Sequence, residues 1–237
     1  MKLIELIDYD HHQSGIALYK SLINGCYFYE KHSFSNCSDK LIQNEFDGYK
    51  WYYDRNKIVN KIKLSTNHNN KIIVPEFNGV KLSSLSGIEG NEFYIEKILH
   101  LYMKTWNSKD SFAIHGDFAF GNFIFSDNEV HIIDWEHFHK AKIQNYGYDF
   151  VHFIFLCLKK DSFRMSNYTK SFLRNCFTSL RSSVLYENTI LEKPFQNSNK
   201  YIKTNLQFFF KNKIALNKFE FSNIDIDVLS KIDLTLT

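Results

Sequence analysis

Residues 111–136 read SFAIHGDFAFGNFIFSDNEVHIIDWE, and this stretch decides the fold. It contains three short apolar runs at 112–114, 123–125 and 130–133. The loop between the first two runs holds His115, Asp117 and Asn122, and Asp134 follows the third. Short apolar runs bounded by polar residues are typical of buried strands. The stretch therefore predicts strands joined by a polar loop, with carboxylates where the strands end.

This spacing places side chains of the types that phosphoryl transfer uses at the offsets found in protein kinases. The reaction needs a carboxylate near the attacking hydroxyl, an amide and a second carboxylate on magnesium, and a cation on the nucleotide phosphates. Protein kinases place a metal-binding Asn five residues after the catalytic Asp, and a metal-binding Asp in a later D-F-G triplet. Here the pair is Asp117 and Asn122, and the later triplet is Asp134, Trp135 and Glu136.

The segments HGDFAFGNFIF and IIDWE resemble the aminoglycoside phosphotransferase and choline kinase family. These are small-molecule relatives of the protein kinases, with HGD in place of HRD. The resemblance implies an α+β fold, bilobal and protein-kinase-like, with a small antiparallel-sheet N-lobe and a mainly helical C-lobe. It also implies ATP and Mg²⁺. Asp117 would be the catalytic residue, and Asn122 and Asp134 would bind the metal.

Other interpretations of the same residues fit less well. An Asn and two Asp that only shape turns would explain each residue singly, but not the set. A protein kinase is disfavoured because Gly116 replaces the Arg of HRD, no A-P-E follows, and the segment from Asp134 to Asp149 is short. His115 is better explained as a support for the loop than as a chemical participant.

Composition predicts an ordered protein. The chain has 237 residues, of which 44% are hydrophobic and 17% aromatic, enough for one large domain or two small lobes. The formal net charge of +3 gives no case for nucleic-acid binding. With no secretory pattern at the amino terminus, no long apolar run and four scattered cysteines, we expect a cytoplasmic protein with reduced thiols.

The charge is unevenly distributed along the chain. Residues 137–237 contain 15 Lys or Arg and 8 Asp or Glu, a net charge of +7, and the remainder carries 14 and 18, or −4. A basic acceptor-binding part favours an anionic acceptor, or an acceptor at the inner face of an anionic membrane, over a polycationic aminoglycoside. A solvated basic surface without a partner explains the charge equally well.

The first 77 residues predict a small sheet with one helix. Strands are expected at 2–9, 16–23 and 26–31, and the Asn24-Gly25 pair predicts a tight hairpin between the second and third. A helix is expected at 39–53. Two further strands are expected at 58–64 and 71–76, before the segment 75–79 that resembles the hinge of the family.

The family resemblance assigns nucleotide-binding residues within this sheet. Lys31, at the end of the third strand, is the candidate that reaches the phosphates, and Glu45 on the helix is its candidate partner. Lys20 on the second strand competes with Lys31. The turn 10–15 occupies the place of the phosphate-covering loop and has one glycine, so Ser14 is the candidate contact there.

The second predicted domain runs over residues 78–237, after an N-lobe at 1–77. An amphipathic helix is expected at 88–106, with its apolar face formed by Phe93, Ile95, Ile98, Leu99, Tyr102 and Trp106. Asp149, ahead of the apolar run 150–158, matches a family carboxylate that holds the loop. Helical spacing continues at 168–186 and 201–219, where core packing or contact with a membrane surface are both possible explanations.

The sequence thus predicts an ATP-dependent phosphotransferase that acts on an alcohol group. The chain is short for the family, which favours an exposed sugar of a lipopolysaccharide or capsule glycan over an enclosed free metabolite. A choline, amino-sugar or aminoglycoside kinase is the alternative within the class. A non-catalytic kinase-like nucleotide-binding protein is the alternative outside it.

Overall fold

The computed structural model describes residues 2–10, 15–59, 62–65, 70–81, 92–106, 113–126, 129–140, 149–150, 153 and 156. The chain divides into two compact units, of which the first contains residues 1–80 and 123–139 and the second contains 81–122 and 140–237. The first unit thus includes a second chain segment. The linear boundary near Asn78, between domains at 1–77 and 78–237, stays a prediction.

The strands and helices of the described residues are, in chain order, β1 (Lys2–Asp10), β2 (Ile16–Ile23), β3 (Cys26–Ser33), α1 (Asn36–Asn56), β4 (Lys63–Ser65), β5 (Lys71–Pro75), β6 (Val80–Lys81), α2 (Glu92–Thr105), β7 (Ala113–Ile114), β8 (Phe123–Phe125), β9 (Val130–Ile132) and β10 (His139–Lys140). The architecture combines antiparallel strands with helices. The expected class of α and β elements is confirmed at this level.

The first unit is built on a five-stranded antiparallel sheet in the order β1-β2-β3-β5-β4. The hairpin between β2 and β3 turns at Asn24 and Gly25, which have φ angles of 51° and 81°. Two successive positive φ angles are the signature of the tight turn that follows the natural twist of a hairpin. The prediction from the Asn-Gly pair is confirmed.

Helix α1 follows β3 and is capped at both ends. Ser35 accepts a hydrogen bond from the backbone N–H of Ser38, and the Ser38 hydroxyl accepts one from the backbone N–H of Ser35. At the other end, Lys57 adopts the left-handed conformation and donates its N–H to the Tyr53 carbonyl. These caps extend the helix three residues beyond each end of the predicted range 39–53.

The strand predicted at 58–64 is wrong in its first part. Ile58 donates its N–H to the Tyr53 carbonyl, and so takes part in the hydrogen bonding that caps the end of α1. Val59 follows with 78% of its surface exposed. Strand β4 begins only at Lys63, and the left-handed cap at Lys57 ends α1 where the predicted strand would start. The apolar pair Ile58 and Val59 therefore follows the end of a long helix and does not start a strand.

A close approach between α1 and the segment after β9 forms the aromatic core of the first unit. Trp135 is fully buried, with the ring of Tyr52 5.4 Å away and those of Tyr49 and Trp51 at 6.2 Å. Gly48 makes this packing possible, since a Cβ atom there would lie 2.6 Å from the Trp135 Cβ. No side chain larger than hydrogen fits at that position without movement of the backbone.

The hairpin of β8 and β9 belongs to the same unit. It forms a three-stranded sheet in the order β6-β8-β9. Gly79 lies against it so closely that a Cβ atom would be 2.2 Å from the Phe125 carbonyl oxygen. The Phe77 ring stacks on His131 of β9 at 4.5 Å. The segment that connects β5 to β6 is therefore fixed to the hairpin by one glycine and one aromatic pair.

In the second unit, α2 buries the apolar face that its spacing predicts. Ile95, Ile98, Leu99 and Tyr102 are almost fully buried, whereas Phe93 is 59% exposed and does not belong to this face. The Tyr102 ring stacks on Trp106 at 4.7 Å, and both rings meet Phe118 edge-on at 5.6 Å. The helix therefore packs directly beneath the loop that carries Asp117.

Several predictions lie outside the described residues. They are Ser14, the first residues of the helix expected at 88–106, and the helices expected at 168–186 and 201–219. The mainly helical character of the C-lobe rests on the same residues. Within the described part of the chain, no helix combines the length and apolarity needed to cross a membrane.

We predict that Gly48→Ala destabilises the protein. Alanine normally stabilises a helix interior by roughly 0.5–1 kcal/mol relative to glycine. Here the added methyl group collides with Trp135 and Phe138, and overpacking of this kind costs about 1–3 kcal/mol. Urea unfolding should show a lower midpoint with an unchanged slope.

Gly121→Ala is the matched control for this substitution. A Cβ atom there has no neighbour within 4 Å, and the free energy of unfolding should change by less than about 0.5 kcal/mol. A stability gain in Gly48→Ala equal to the normal helix preference would show that α1 does not pack against Trp135 as described.

Candidate active site

The candidate residues form two groups, one within each unit. We call residues 115–122 the Asp117 loop, which belongs to the second unit. We call Lys31, Glu45 and Asp134 the Lys31 cluster, which belongs to the first. Each group is described by itself.

The Asp117 loop holds the carboxylate and the amide of the sequence motif together. The Asn122 side chain donates from Nδ2 to the Asp117 carbonyl oxygen at 2.7 Å and to the Asp117 carboxylate at 3.0 Å. The backbone N–H of Asn122 donates to the carbonyl of Ala119 within a short 3₁₀ turn. The five-residue spacing therefore places the two side chains in direct contact.

A buried carboxylate holds the start of this loop. Asp149 is 1% exposed and accepts hydrogen bonds from the backbone N–H groups of His115 at 2.7 Å and Gly116 at 3.0 Å. Gly116 has a φ of 88°, a conformation that suits glycine. Asp149 thus fixes the backbone immediately before Asp117 in the manner that the resemblance implies.

His115 is buried inside the same loop. Its Nδ1 atom accepts a hydrogen bond of 3.3 Å from the backbone N–H of Asp117, so the proton of the neutral ring lies on Nε2. The ring meets Phe118 edge-on at 5.9 Å. Through this hydrogen bond, the His115 ring helps to hold the backbone of the loop at Asp117.

The Lys31 cluster brings together three elements of the first unit. Lys31 on β3 lies 2.8 Å from the carboxylate of Glu45 on α1, and it also donates to the carboxylate of Asp134. Asp134, just after β9, has a φ of 65°, which is uncommon for a residue with a side chain. A single ammonium group therefore joins the sheet, the helix and the segment after the hairpin.

Burial and charge act in opposite directions on this cluster. Burial by itself lowers the pKa of Lys31, but the carboxylates of Asp134 and Glu45 outweigh it and raise that pKa well above its ordinary value. Burial raises the pKa of Glu45 to about 7, although Lys31 opposes the shift. Lys31 is therefore a permanent cation, while Glu45 titrates near neutral pH.

Lys20, the competitor for the role of Lys31, has a different partner. Its ammonium group lies 2.7 Å from the carboxylate of Glu76, which also accepts a hydrogen bond of 3.1 Å from the Tyr29 hydroxyl. The hydrogen bond to Glu76 raises the pKa of Lys20. Lys20 thus fastens the end of β5 to the sheet.

One polar contact in the first unit was not anticipated from the sequence. Asn44 on α1 donates from its side chain to the Glu136 carbonyl oxygen at 3.1 Å. Asn44 precedes Glu45, and Glu136 follows Asp134 by two residues. The sequence contains no signal that pairs an amide on a helix with a backbone group 92 positions away. The one signal for close packing in this region is Gly48, a glycine inside a helical pattern.

Comparisons with known proteins give one kind of information, the fold. No protein-family model matches the chain, and no curated protein matches it. The structure is similar to that of WaaP in complex with acyl carrier protein, with a TM-score of 0.56 and 14% sequence identity. The match covers 91% of this chain and 90% of WaaP. The two chains share a fold over nearly their whole lengths.

We predict a pH-dependent difference in stability between Glu45→Gln and the wild type. The folded-state pKa of Glu45, about 7, lies above its ordinary value of 4.5. The native state then binds more protons than the unfolded state between these values, so the contribution of Glu45 to stability is lost as pH rises through 7. Glutamine does not titrate, and the variant should gain on the order of 3 kcal/mol relative to wild type between pH 4.5 and 8.

The measurement is urea unfolding at several pH values. Asp47→Asn, on an exposed position of the same helix, is the control for replacing a carboxyl group by an amide. A constant difference between Glu45→Gln and wild type across the range would mean that Glu45 is ionised throughout.

We also predict that Asp149→Asn destabilises the protein by about 2–3 kcal/mol, because the amide offers one acceptor oxygen where two backbone N–H groups require two. The exposed Asp54→Asn should be close to neutral in the same unfolding assay. An Asp149→Asn variant as stable as wild type would contradict the assigned hydrogen bonds.

Proposed function

We propose that the protein is an ATP-dependent phosphotransferase that moves the γ-phosphate to an alcohol group. The observation that carries the proposal is the pairing of Asp117 with Asn122 in a loop held by a buried carboxylate. The Lys31 cluster supports it, because a permanent cation contacts two carboxylates there. The proposal includes a bilobal, protein-kinase-like arrangement with a mainly helical C-lobe.

Asn122 and Asp134, which we propose as the metal ligands, each offer a type of oxygen donor that suits Mg²⁺. This ion prefers carboxylate and carbonyl oxygens, and Asn122 and Asp134 supply one of each. Asn122 directs its amide nitrogen to Asp117, which leaves the amide oxygen for a cation. Asp134 already faces a cation, the ammonium group of Lys31. When bound, the ion would neutralise charge on the transferring phosphoryl group.

The remaining roles follow from charge and position. Asp117 orients the acceptor hydroxyl and accepts its proton as the oxygen attacks the γ-phosphorus and the bond to the β-phosphate oxygen breaks. Lys31 binds the α- and β-phosphates. Glu45 holds Lys31 in place, and Ser14 is a further candidate for a phosphate contact. His115 and Asp149 keep the Asp117 backbone in its orientation.

We further propose an anionic sugar of a cell-envelope glycan as the acceptor. Residues 137–237 are basic, with a net charge of +7 from 15 Lys or Arg and 8 Asp or Glu, a field that attracts anions. The protein would then work in the cytoplasm, at the inner face of the membrane, as a peripheral partner of its acceptor.

We predict that Asp117→Asn lowers kcat by on the order of 10³-fold or more with little change in nucleotide binding, since the amide cannot accept the proton. The assay is transfer of label from γ-labelled ATP with Mg²⁺ to purified envelope glycans, free sugars, amino alcohols and aminoglycosides. Nucleotide binding is measured separately by the thermal shift that ADP and Mg²⁺ produce.

Asp47→Asn, which removes one exposed carboxylate elsewhere, is the control and should retain wild-type turnover. Label on an aminoglycoside or amino alcohol would support the proposed kinase activity and contradict the proposal of an anionic acceptor. A thermal shift with no transfer to any acceptor would favour the non-catalytic nucleotide-binding protein. Turnover by Asp117→Asn within a few fold of wild type would refute the assigned role.

A further inference from the structure

Helix α1 touches the segment that carries Asp134 on both sides of that residue. The Tyr52 hydroxyl donates to the Val130 carbonyl at 3.5 Å, before Asp134. The Asn44 side chain donates to the Glu136 carbonyl at 3.1 Å, after it. Between these contacts, Gly48 allows Trp135 to pack against the helix backbone. The segment is therefore held at three positions along one helix.

Asp134 needs such support because of its backbone. A residue with a side chain at φ 65° stores conformational energy, and surrounding contacts must hold it in that state. The Trp135 indole N–H donates to the Ile132 carbonyl, and the Trp135 carbonyl accepts from the N–H of Phe138. These bonds fix the tryptophan. The carbonyl of Glu136 is held from outside the segment, by Asn44.

We infer that Asn44 is a positioning residue for Asp134, and through it for the divalent cation. Asn44 precedes Glu45, which contacts Lys31 from the same helix. Two adjacent residues of α1 thus act on Asp134. Asn44 orients the backbone turn at Asp134, and Glu45 orients the Lys31 ammonium group beside it. Loss of the Asn44 hydrogen bond lets the Asp134–Glu136 turn rotate, and the carboxylate loses its fixed direction. This inference rests on the proposed metal-binding role of Asp134.

Positioning differs from structural support in what it changes. A contact that only stabilises the fold would alter the free energy of unfolding and leave the affinity of the folded protein for a divalent cation unchanged. Groups that orient a metal ligand from behind typically change metal affinity about 10–100-fold when removed. Binding of Mn²⁺, a paramagnetic substitute for Mg²⁺, measures that affinity without turnover.

The experiment is a titration of the full chain with Mn²⁺ at saturating ADP, followed by electron paramagnetic resonance of the free ion. Asn44→Leu keeps the size of the side chain and removes the donor, and Asn44→Ala removes the side chain. Both should weaken Mn²⁺ binding about 10-fold. Gln43→Ala, on the exposed neighbouring position, should bind as wild type does. Asp134→Asn is the reference for loss of the ligand itself.

The outcomes separate the two proposals. If Asp134→Asn loses Mn²⁺ while both Asn44 variants bind within twofold of wild type, the positioning role is refuted and the metal site stands. If Asp134→Asn binds Mn²⁺ as wild type does, the metal role of Asp134 fails and the role of Asn44 fails with it. Weaker binding in both Asn44 variants, with the cooperative urea transition retained, supports the inference.

Discussion

The ammonium group of Lys31, whose side chain is only 17% exposed, is the constraint on which the first unit depends. A charge removed from water is costly unless opposite charges and hydrogen bonds replace the solvent. Glu45 and Asp134 provide that replacement, and each comes from a different part of the chain. Because β3, α1 and the segment after β9 all contribute to one cluster, a shift of any of them would separate a partly buried charge from its counter-charge.

This constraint dictates the packing around it. A carboxylate on α1 reaches Lys31 only if the helix lies close to the segment that carries Asp134, and a large side chain one turn further along would prevent that approach. Gly48 and Trp135 meet this requirement together, since the glycine leaves room and the indole fills it. An interior glycine weakens the helix itself, and the close packing that it allows offsets the loss.

Local chemistry explains which parts of the structure the sequence could predict. The Asn24-Gly25 turn, the apolar face of α2 and the spacing of Asp117 and Asn122 depend on residues close in sequence, so their patterns are visible in it. The predicted start of β4 at residue 58 was wrong, because the helix cap at Lys57 determines the backbone there and the apolar pair after it does not. The Asn44 contact was invisible, because a side-chain amide on a helix has many possible partners and only the tertiary fold selects one.

The two proposed metal ligands are an amide, Asn122, and a carboxylate, Asp134, and the residues around each explain the difference. Asn122 must donate to the Asp117 carboxylate, which an aspartate in its place would repel, and its amide still retains an oxygen for a cation. Asp134 instead faces the ammonium group of Lys31, where a full negative charge is stabilised. The amide and the carboxylate are thus each the side chain that its own surroundings accept, and exchanging them would place like charges together in the Asp117 loop and remove a counter-charge from Lys31.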